Sequence, residues 1–342
     1  MSGRATGSVR RSGSRGYDII GDIHGCAHTL SVLLEQMGYQ KINGIYQHKR
    51  RQAVFIGDII DRGPRIRESL HMVRDMVEHG SAQITMGNHE YNALGYCTRA
   101  RPGSNRKFLR EHNPRHDRLI RETLEQFEHH PHEWNEFLEW FYTLPLFLEI
   151  EHFRVVHACW DHRLIEQFKK IQGGNLIDED FLHASAALDS FAGRVMDRLL
   201  RGTDLRLPEG LTIKGRDGFT RHFFRTKFWA DNPQTYADVV FQPDPLPEDI
   251  ANHPLSEAEK KKILSYPLSE PPVFVGHYWR DGRPAPLKPN VACIDYSAVK
   301  YGRLVAYRMD DERQLSADKF VWVNVPRPEL PSDSQTEDSL TR

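Results

Sequence analysis

The sequence predicts an α/β fold, on the basis of three patterns along its 342 residues. Short apolar runs typical of buried strands stop abruptly and are followed by a side chain that could bind a metal. Amphipathic helices separate the first of these runs, which is the alternation expected of an α/β domain. The middle of the chain is predicted to be helical, and strand character returns near the end. Because open α/β sheets place their sites at the carboxyl ends of strands, we expect the polar side chains to meet.

The apolar runs and the residues that follow them are 17–21 with Asp22, 53–57 with Asp58, 84–87 with Asn88, 154–156 with His157 and 273–276 with His277. All but the run before His157 end in glycine. A single Gly-Asp pair is ordinary turn chemistry, and a lone histidine is usually a core residue. Five strand ends that each carry a metal-ligand type indicate a shared site. The cluster at residues 129–132 is interpreted instead as a solvated segment.

Two helices are predicted between the first strands. The first covers about residues 27–37 and ends at Gly38. The second begins at Pro64, a residue suited to the first helical position, and ends near His79. The side chains expected to face inward are Leu30, Leu33, Leu34 and Met37 on the first helix and Ile66, Leu70, Val73 and Val77 on the second.

The rest of the chain is predicted more coarsely. Residues 92–145 and about 179–200 have helical spacing, residues 215–218 are turn-rich, and residues 243–254 form a Pro-rich linker. Ser256 and Glu259 have the spacing of a capping box at the start of a short helix. The predicted late strands are residues 291–295, 303–309 and 320–323.

Composition narrows the function. Acidic and basic residues nearly balance, with a formal net charge of -1, so an extended nucleic-acid footprint is not expected. No apolar run reaches the ~18 residues that span a membrane. Four separated cysteines without a CxxC pair predict neither a disulfide framework nor a thiolate zinc site, and they fit a reducing, cytoplasmic location.

The predicted organisation is one domain over residues 17–325, with an insertion at about 160–270. A basic arm rich in Gly and Ser (1–16) and a polar, Pro-rich tail (326–342) are expected to be disordered.

The strand-end residues could bind two metal ions. Asp22 and His24 are two apart, so on an extended segment they point the same way. The Asp58 carboxylate has two oxygens and could bridge two cations. Together with Asn88, His157 and His277 this is a mixed oxygen and nitrogen set that suits Mn²⁺, Fe or Zn²⁺. Two such ions, about 3.5–4 Å apart, activate water and clamp a phosphoryl group.

Three motifs carry a resemblance to a known family. Gly21-Asp22-Ile23-His24-Gly25 matches GDxHG, Gly57-Asp58-Ile59-Ile60-Asp61-Arg62-Gly63 matches GDxxDRG, and Gly87-Asn88-His89-Glu90 matches GNHE. In this order they resemble the phosphoprotein-phosphatase branch of the calcineurin-like metallophosphoesterases. The resemblance implies a four-layer α/β/β/α sandwich, here with a helical or irregular insertion, and two divalent metal ions, with Mn²⁺ expected and Fe or Zn²⁺ as alternatives.

The resemblance also implies residue roles. Asp22, His24 and Asp58 would hold one metal, and Asp58, Asn88, His157 and His277 the other. His89 would be the general acid, oriented by Asp61, and Arg62 and a second arginine would bind phosphate oxygens. We predict Arg225 for that second arginine. Two alternatives stay open: Asp61 as a helix cap and Arg225 as a surface residue beside an aromatic strand.

The pocket wall departs from the family pattern. Cys159, Tyr278 and the segment Asp295-Tyr296-Ser297 stand where the family usually has glycine, threonine and Asp-Thr-Gly. These departures leave the predicted metal ligands unchanged, but they alter the pocket wall, so the substrate of this protein does not follow directly from the substrates of the family.

Residues 17–26 and the Met37-Gly38-Tyr39 segment resemble bacterial dinucleoside tetraphosphatases of the PrpE-like kind. We therefore favour a phosphohydrolase of nucleotides or other small phosphorylated molecules. The intact Asp61-Arg62-Gly63 and GNHE motifs favour the alternative, a serine/threonine protein phosphatase, and RNA ends are a third candidate substrate. A non-catalytic binding module of the same fold is the alternative from another class.

Overall fold

The computed structural model describes residues 16–214, 220–242 and 246–326. The strands are Gly16–Ile20 (β1), Gln40–Ile42 (β2), Ile45–Gln47 (β3), Arg51–Phe55 (β4), Ala82–Ile84 (β5), Phe147–Ile150 (β6), Phe153–Val156 (β7), Thr203–Arg206 (β8), Ile213–Lys214 (β9), Thr220–Arg221 (β10), Phe223–Thr226 (β11), Val240–Gln242 (β12), Val273–Val275 (β13), Val291–Cys293 (β14), Asp295–Tyr296 (β15), Arg303–Met309 (β16) and Phe320–Asn324 (β17).

The helices are Ala27–Gln36 (α1), Ile66–Glu78 (α2), Asn88–Cys97 (α3), Pro114–Phe127 (α4), Pro131–Phe141 (α5), His162–Gln172 (α6), Glu179–Ser185 (α7), Phe191–Arg201 (α8), Tyr236–Val239 (α9), Glu248–Ala251 (α10) and Glu257–Lys260 (α11). None of these helices combines the length and hydropathy needed to cross a bilayer. The predicted turn at 215–218, the N-terminal arm apart from Gly16, and the tail beyond residue 326 lie outside the described residues.

Two main sheets form the centre of the molecule. The first has the order β15-β16-β1-β4-β5, with β17 paired to β16. Strands β1, β4 and β5 run parallel, so their carboxyl ends lie at one edge. The second has the order β14-β13-β7-β6, and β13 is parallel to both β7 and β14. The strand ends that carry the predicted site residues therefore belong to both sheets.

The two sheets pack face to face. Buried side chains from the first sheet, such as Ile19 and Val54, share an apolar cluster with Val155 and Phe274 from the second. A larger cluster joins the outer faces of the sheets to helices, including α1 and α2 on one side and α6 and α8 on the other. The layers are thus helix, sheet, sheet, helix, which is the predicted α/β/β/α sandwich.

Several predicted elements are confirmed and others need correction. Helix α1 buries the three predicted leucines, and Gly38 follows it with a φ of +92°. Helix α2 begins at Ile66, so Pro64 is not its first residue. The chain is still turning there, because Arg62 has a φ of +69°. Met76 is buried in α2, whereas the predicted Val77 is only half-buried.

The regions predicted to be helical are interrupted at several points, and two of these breaks show a clear cause. Residues 98–113 are not helical, and Asn113 caps the next helix by accepting a hydrogen bond from the His116 N–H. The helix predicted near 179–200 is two helices, and the second starts where the Ser190 hydroxyl accepts from the Gly193 N–H. Both breaks carry a side chain that offers the backbone an alternative partner.

The region between His157 and His277 is more ordered than an irregular insertion. Strands β8, β11 and β12 form a three-stranded sheet with its own small apolar cluster, which includes Phe224 and Tyr236. The predicted capping box at Ser256 and Glu259 is present at the start of α11. This small sheet matters for the site because β11 carries Arg225.

Candidate active site

The predicted ligands converge where the two sheets meet. Asp22 and Asp58 lie just beyond the parallel neighbours β1 and β4. His157 and His277 lie just beyond β7 and β13, which are parallel neighbours in the second sheet. Asn88 begins helix α3 after β5. Loops that leave aligned strand ends bring residues up to 255 positions apart into contact, as shown by the His277 N–H donating to Asp22 Oδ2 at 3.1 Å.

Asp58 occupies the centre of the cluster. Its Oδ2 lies 3.6 Å from His24 Nε2, 3.4 Å from His157 Nε2 and 3.9 Å from His89 Nε2. Its Oδ1 accepts a hydrogen bond from the His89 backbone N–H at 2.9 Å. A buried carboxylate reached by three imidazoles is the arrangement expected of a bridging ligand.

The Asn88 amide oxygen lies between the two late histidines. It is 3.1 Å from His157 Nε2 and 2.8 Å from His277 Nδ1. The backbone anchors the Nδ1 atoms of two of the histidines. His157 Nδ1 is 2.8 Å from the Ile56 carbonyl, and His24 Nδ1 is 2.8 Å from the Ile60 carbonyl. Such anchors fix the ring orientation and leave Nε2 facing the site.

Asp22 shows that the cluster fits a cation. Its Oδ1 is buried and has no hydrogen-bond partner in the described part of the chain. Burial raises the pKa of Asp22 well above its ordinary value, and the nearby Asp295 carboxylate adds to the effect. A buried oxygen without a donor, beside further carboxylate, amide and imidazole groups, has the chemistry of a hard or borderline metal site.

The side chains that lie close enough to share a metal ion form two groups, and these groups differ from the two ligand sets that the resemblance implies. Asp22 lies with Asp58 and His157, and their potential ligand atoms are all within 4.8 Å of one another. His24 forms a second such group with Asp58 and His89. Asp58 is common to both groups, as a bridging role requires, while the assignment of the remaining ligands to each metal stays a prediction.

The electrostatic balance of the cluster is strongly perturbed. Burial disfavours the Asp58 anion, but the imidazoles of His157 and His89 outweigh it and hold the pKa of Asp58 well below normal. Burial likewise opposes the charged form of His157, yet Asp58 raises the pKa of His157 to about 10. For His24 and His277, burial is the largest cause of a strongly lowered pKa, and the adjacent arginines, Arg62 and Arg225, lower it further.

His89 and Asp61 form a buried pair. His89 Nδ1 lies 2.5 Å from Asp61 Oδ2, and the Thr123 hydroxyl donates to the other Asp61 oxygen at 2.5 Å. Asp61 is therefore not the cap of the following helix, whose N-cap is Arg65. With Nδ1 occupied by Asp61, the Nε2 atom of His89 faces Asp58. His89 is held near the cluster because it is the second residue of α3.

Two arginines flank the cluster. Arg62 is exposed, and its Nη1 lies 3.3 Å from His24 Nε2. Arg225 is half-buried on β11, and its Nη1 lies 3.0 Å from His277 Nε2. The alternative of a surface arginine does not describe Arg225, because its guanidinium points at a predicted ligand. Burial lowers the pKa of Arg225.

Backbone conformation at the site is unusual. Ten described residues other than glycine have a positive φ, and five of them are predicted site residues: His24 (44°), Asp58 (52°), Asp61 (69°), Arg62 (69°) and His277 (61°). Such conformations cost of order 1–3 kcal/mol each and persist only where the surroundings enforce them. Sequence patterns give no signal for this concentration of strain.

Glu90 is a functional residue that the sequence analysis did not assign. It is fully buried, and its carboxylate accepts from the N–H groups of Asp58 (2.8 Å), Ile59 (2.8 Å) and Gly87 (3.0 Å). Glu90 thus fixes the left-handed backbone at Asp58 and the start of α3 at once. The sequence feature that could have identified Glu90 is its position as the last residue of the GNHE motif, three residues after the N-cap of α3.

Asp295 is a second unassigned residue. It is buried near Asp22, and burial raises the pKa of its carboxyl group. Its Oδ1 accepts from the Ser297 N–H at 2.9 Å.

Of the two other departures from the family pattern, Cys159 is buried, and Tyr278 is buried against Trp229 and Phe241. The segment at 129–132 is exposed, as predicted.

Comparisons with known proteins agree with this geometry. The sequence model of the calcineurin-like phosphoesterase family matches residues 17–207, which is more than half of the chain. The asymmetrical bis(5'-nucleosyl)-tetraphosphatase PrpE of Oceanobacillus iheyensis is 34% identical over 142 residues, covering 41% of this chain and 54% of that protein. The same enzyme of Bacillus subtilis is 42% identical over 74 residues, covering 21% and 30%. The chain thus spans about half, or less, of the length of these relatives.

Among solved structures, a protein serine/threonine phosphatase from Saccharomyces cerevisiae superposes with a TM-score of 0.47 and 14% identity, covering 94% of this chain and 82% of that one. These values are too low to bear on function. The family match, the three motifs and the convergence of their residues lead to the same assignment, which confirms the family predicted from the sequence. The chain belongs to the calcineurin-like phosphoesterase family.

Proposed function

We propose that this protein hydrolyses phosphoester or phosphoanhydride bonds with two divalent metal ions, and that nucleotides or other small phosphorylated molecules are its substrates. The observation that carries the proposal is the His89–Asp61 pair. It presents one imidazole nitrogen to the same Asp58 oxygen that His24 and His157 approach. A proton donor beside a metal-type cluster is what cleavage of a poor leaving group needs.

The metal ligands in this proposal are Asp22, His24, Asp58, Asn88, His157 and His277. When bound, the two ions supply an activated water nucleophile and neutralise developing charge on the phosphoryl group. Mn²⁺ is the proposed metal, because oxygen and imidazole donors are present without a thiolate; Fe or Zn²⁺ would use the same donors. Glu90 holds the Asp58 backbone in the conformation that directs its carboxylate into the cluster.

His89 supplies the proton. Its Nδ1–H donates to Asp61, so in the imidazolium form the Nε2–H is the group free to donate to the leaving oxygen, which leaves a neutral ring that keeps its proton on Nδ1. Asp61 fixes the tautomer and the ring orientation, and Thr123 in turn fixes Asp61. This chain of contacts reaches the site from helix α4, which carries none of the proposed metal ligands.

Arg62 and Arg225 bind the phosphoryl oxygens. They lie beside two different predicted ligands, Arg62 next to His24 and Arg225 next to His277. A guanidinium presents a planar fork of donors that matches two phosphate oxygens, so the pair can orient the group for in-line attack.

The similarity to PrpE tetraphosphatases supports a nucleotide substrate. The intact Asp61-Arg62-Gly63 and GNHE segments, whose side chains meet in the structure, support the alternative of a serine/threonine protein phosphatase. The two substrates differ in leaving group and in size, so a direct comparison separates them.

The decisive experiment compares diadenosine tetraphosphate with a phosphoserine peptide in the presence of Mn²⁺, using Asp58→Asn as the blank. We expect faster cleavage of the nucleotide. The Asp58→Asn protein should lose nearly all turnover and bind less metal by elemental analysis, because the central ligand loses its charge. Faster release from the peptide would make the protein a phosphoprotein phosphatase. Normal turnover of Asp58→Asn would contradict the two-metal proposal.

A further inference from the structure

A cleft of about 990 Å³ opens on the α3 side of the candidate active site. Tyr91 and Asn92 line it, and they follow the GNHE segment directly on α3. The other walls are the loop at 105–112, the start of α4, and helices α7 and α8. Nothing in the proposed metal chemistry uses these walls, although they adjoin it.

The cleft is strongly cationic. Five of its lining side chains are basic and two are acidic: Arg106, Lys107, Arg110, Arg115 and Arg201, against Glu111 and Asp197. The whole chain carries a formal net charge of -1. Positive charge is therefore concentrated here, in a concave surface where it acts more strongly than on a flat one.

Arg110 is the least satisfied of these cations. Its backbone N–H donates to the Gly95 carbonyl at 2.8 Å, which fixes its position. Across residues 16–214, 220–242 and 246–326, however, its half-buried guanidinium has no hydrogen bond and no ion pair. Burial lowers the pKa of Arg110 to about 10, and the guanidinium of Arg201 contributes to the shift. An anion in the cleft would relieve both the burial and the repulsion.

Arg201 links the cleft to the metal ligands. Its Nη2 donates to Asn92 Oδ1 at 2.7 Å, and its guanidinium lies 5.3 Å from the centre of the Tyr91 ring. Asn92 is one helical turn beyond Asn88, so both lie on one face of α3. After burial and Arg225, Arg201 is among the charges that lower the pKa of His277. Positive charge thus continues from the phosphate-binding arginines into the cleft.

We propose that this cleft binds the phosphates that lie beyond the scissile bond, so that the protein selects polyphosphate chains over simple phosphomonoesters. The inference rests on the proposed hydrolase function and specifies its substrate class. Arg201 and Arg110 are the binding residues, in that order along the chain of phosphates, and Arg115 lies at the rim. Within the described residues Arg110 has no acidic partner, and Arg201 has one at its edge, Asp197 at 3.4 Å from Nη1. Both guanidinium groups can therefore bind such a polyanion, because charge-assisted bonds to phosphate are strong and geometrically defined.

The test measures KM for diadenosine tetraphosphate and for p-nitrophenyl phosphate at fixed free Mn²⁺. Arg110→Met should raise the tetraphosphate KM about 10-fold relative to the p-nitrophenyl phosphate KM, as expected for one lost charge-assisted bond. Arg110→Lys should restore part of the ratio. Arg121→Met, which changes an exposed arginine on α4 outside the cleft, is the matched control and should leave the ratio unchanged.

Thermal melting would show whether Arg110→Met misfolds. A second variant keeps the proposal testable in that case. Arg115 is exposed, so Arg115→Met should fold and should change the KM ratio about 2-fold in the same direction. Added salt should raise the tetraphosphate KM more than the monoester KM. An unchanged ratio in both variants would overturn the proposal. So would an increase in KM confined to an acidic phosphopeptide, which would identify a peptide groove instead.

Failure of the hydrolase proposal is separable from failure of this one. Calorimetric titration of the full chain with inorganic tripolyphosphate measures cleft binding without turnover. If wild-type protein hydrolyses neither substrate, the function is wrong, yet weaker tripolyphosphate binding by Arg110→Met would still support the cleft. If wild-type protein cleaves both substrates and the variant binds tripolyphosphate normally, only the cleft assignment fails.

Discussion

His89 owes its proposed role to contacts rather than to residue type. The chain has 18 histidines, and a histidine becomes a directed proton donor only when one ring nitrogen is held. Asp61 holds Nδ1, and Thr123 holds Asp61. The motif predicted the pair, but the Thr123 contact joins residues 62 positions apart, which local sequence patterns do not reveal.

Replacing His89 with Asn should separate the proton-transfer role from metal binding. We expect activity on alkyl phosphates to fall about 100-fold or more, the range for loss of a general acid. Metal content should stay near that of the wild type. His129→Asn, an exposed change, is the control. If p-nitrophenyl phosphate, which has a much better leaving group, suffers an equal loss, a role confined to protonation is excluded.

Some features of the candidate site could be predicted from the sequence, and others could not. The ligand types at five strand ends were readable because each follows an apolar run. Glu90 was visible only as a motif letter, since a carboxylate that accepts three backbone N–H groups leaves no periodic signal. The positive φ values at His24, Asp58 and His277 were not predictable, because even Asp and His, which adopt such values more often than most residues, do so at few positions.

At the scale of elements, the site depends on the junction between the end of β4 and the start of α3. Gly57 and Gly87 meet there: a Cβ on Gly57 would lie 2.3 Å from the Gly87 nitrogen. Glu90 then ties both segments through backbone hydrogen bonds. This close approach explains why the glycines of two separate motifs are needed, which the motifs alone did not say.

Glu90→Gln should loosen this junction. The amide presents an NH₂ group where the carboxylate oxygens now accept backbone donors, so at least one buried N–H loses its partner. We expect a loss of about 2–4 kcal/mol in the free energy of unfolding and weaker metal binding. Chemical denaturation measures the first and elemental analysis the second. Glu128→Gln, which changes an exposed side chain, should have neither effect. Equal stability of the two variants would show that the Glu90 carboxylate does not hold the two segments together.

A second junction links β4 to the segment after β16. Asp310 accepts from Arg51 Nη1 at 2.6 Å and from Lys319 Nζ at 2.6 Å. Burial opposes ionisation, but these two cations dominate and lower the pKa of Asp310. The folded protein therefore binds this proton less readily than the unfolded chain. The resulting stabilisation is present above about pH 4, the unfolded value, and is lost as pH falls through the lower folded value.

Asp310→Asn should accordingly reduce the free energy of unfolding at pH 7 by only about 0.5–1 kcal/mol, because the side chain is 44% exposed and solvent screens the pair. The difference from wild type should shrink below pH 4. Urea denaturation at pH 7 and in acid measures both values. A deficit that grows in acid would reverse the sign of the linkage and contradict the assignment.

At the scale of the whole molecule, the candidate metal site joins the two sheets. Asp22 and Asp58 come from the first sheet, and His157 and His277 come from the second. The sandwich itself was predictable from the resemblance, whereas the small sheet carrying Arg225 was not. Its strands are short and lie in a stretch of weak periodicity, so only tertiary pairing defines them.

Removal of metal should therefore lower the melting temperature of the whole protein. A ligand that binds only the folded state stabilises it by RT ln(1 + [L]/Kd), so we expect EDTA to lower the Tm by several degrees and Mn²⁺ to restore it. Asp58→Asn should show a much smaller EDTA shift. An equal shift in wild type and variant would mean that the stabilising metal binds elsewhere.

The pairing of β1 has a further consequence, for synthesis of the protein. Tyr17 in β1 pairs with Met309 in β16, so one side of the first sheet is completed by a strand made almost 300 residues later. On the ribosome, β1 can join β4 early, but its other edge stays open until nearly all of the described chain has emerged. The nascent protein thus exposes an unpaired apolar strand for most of its translation, the kind of segment that draws chaperones and invites mispairing.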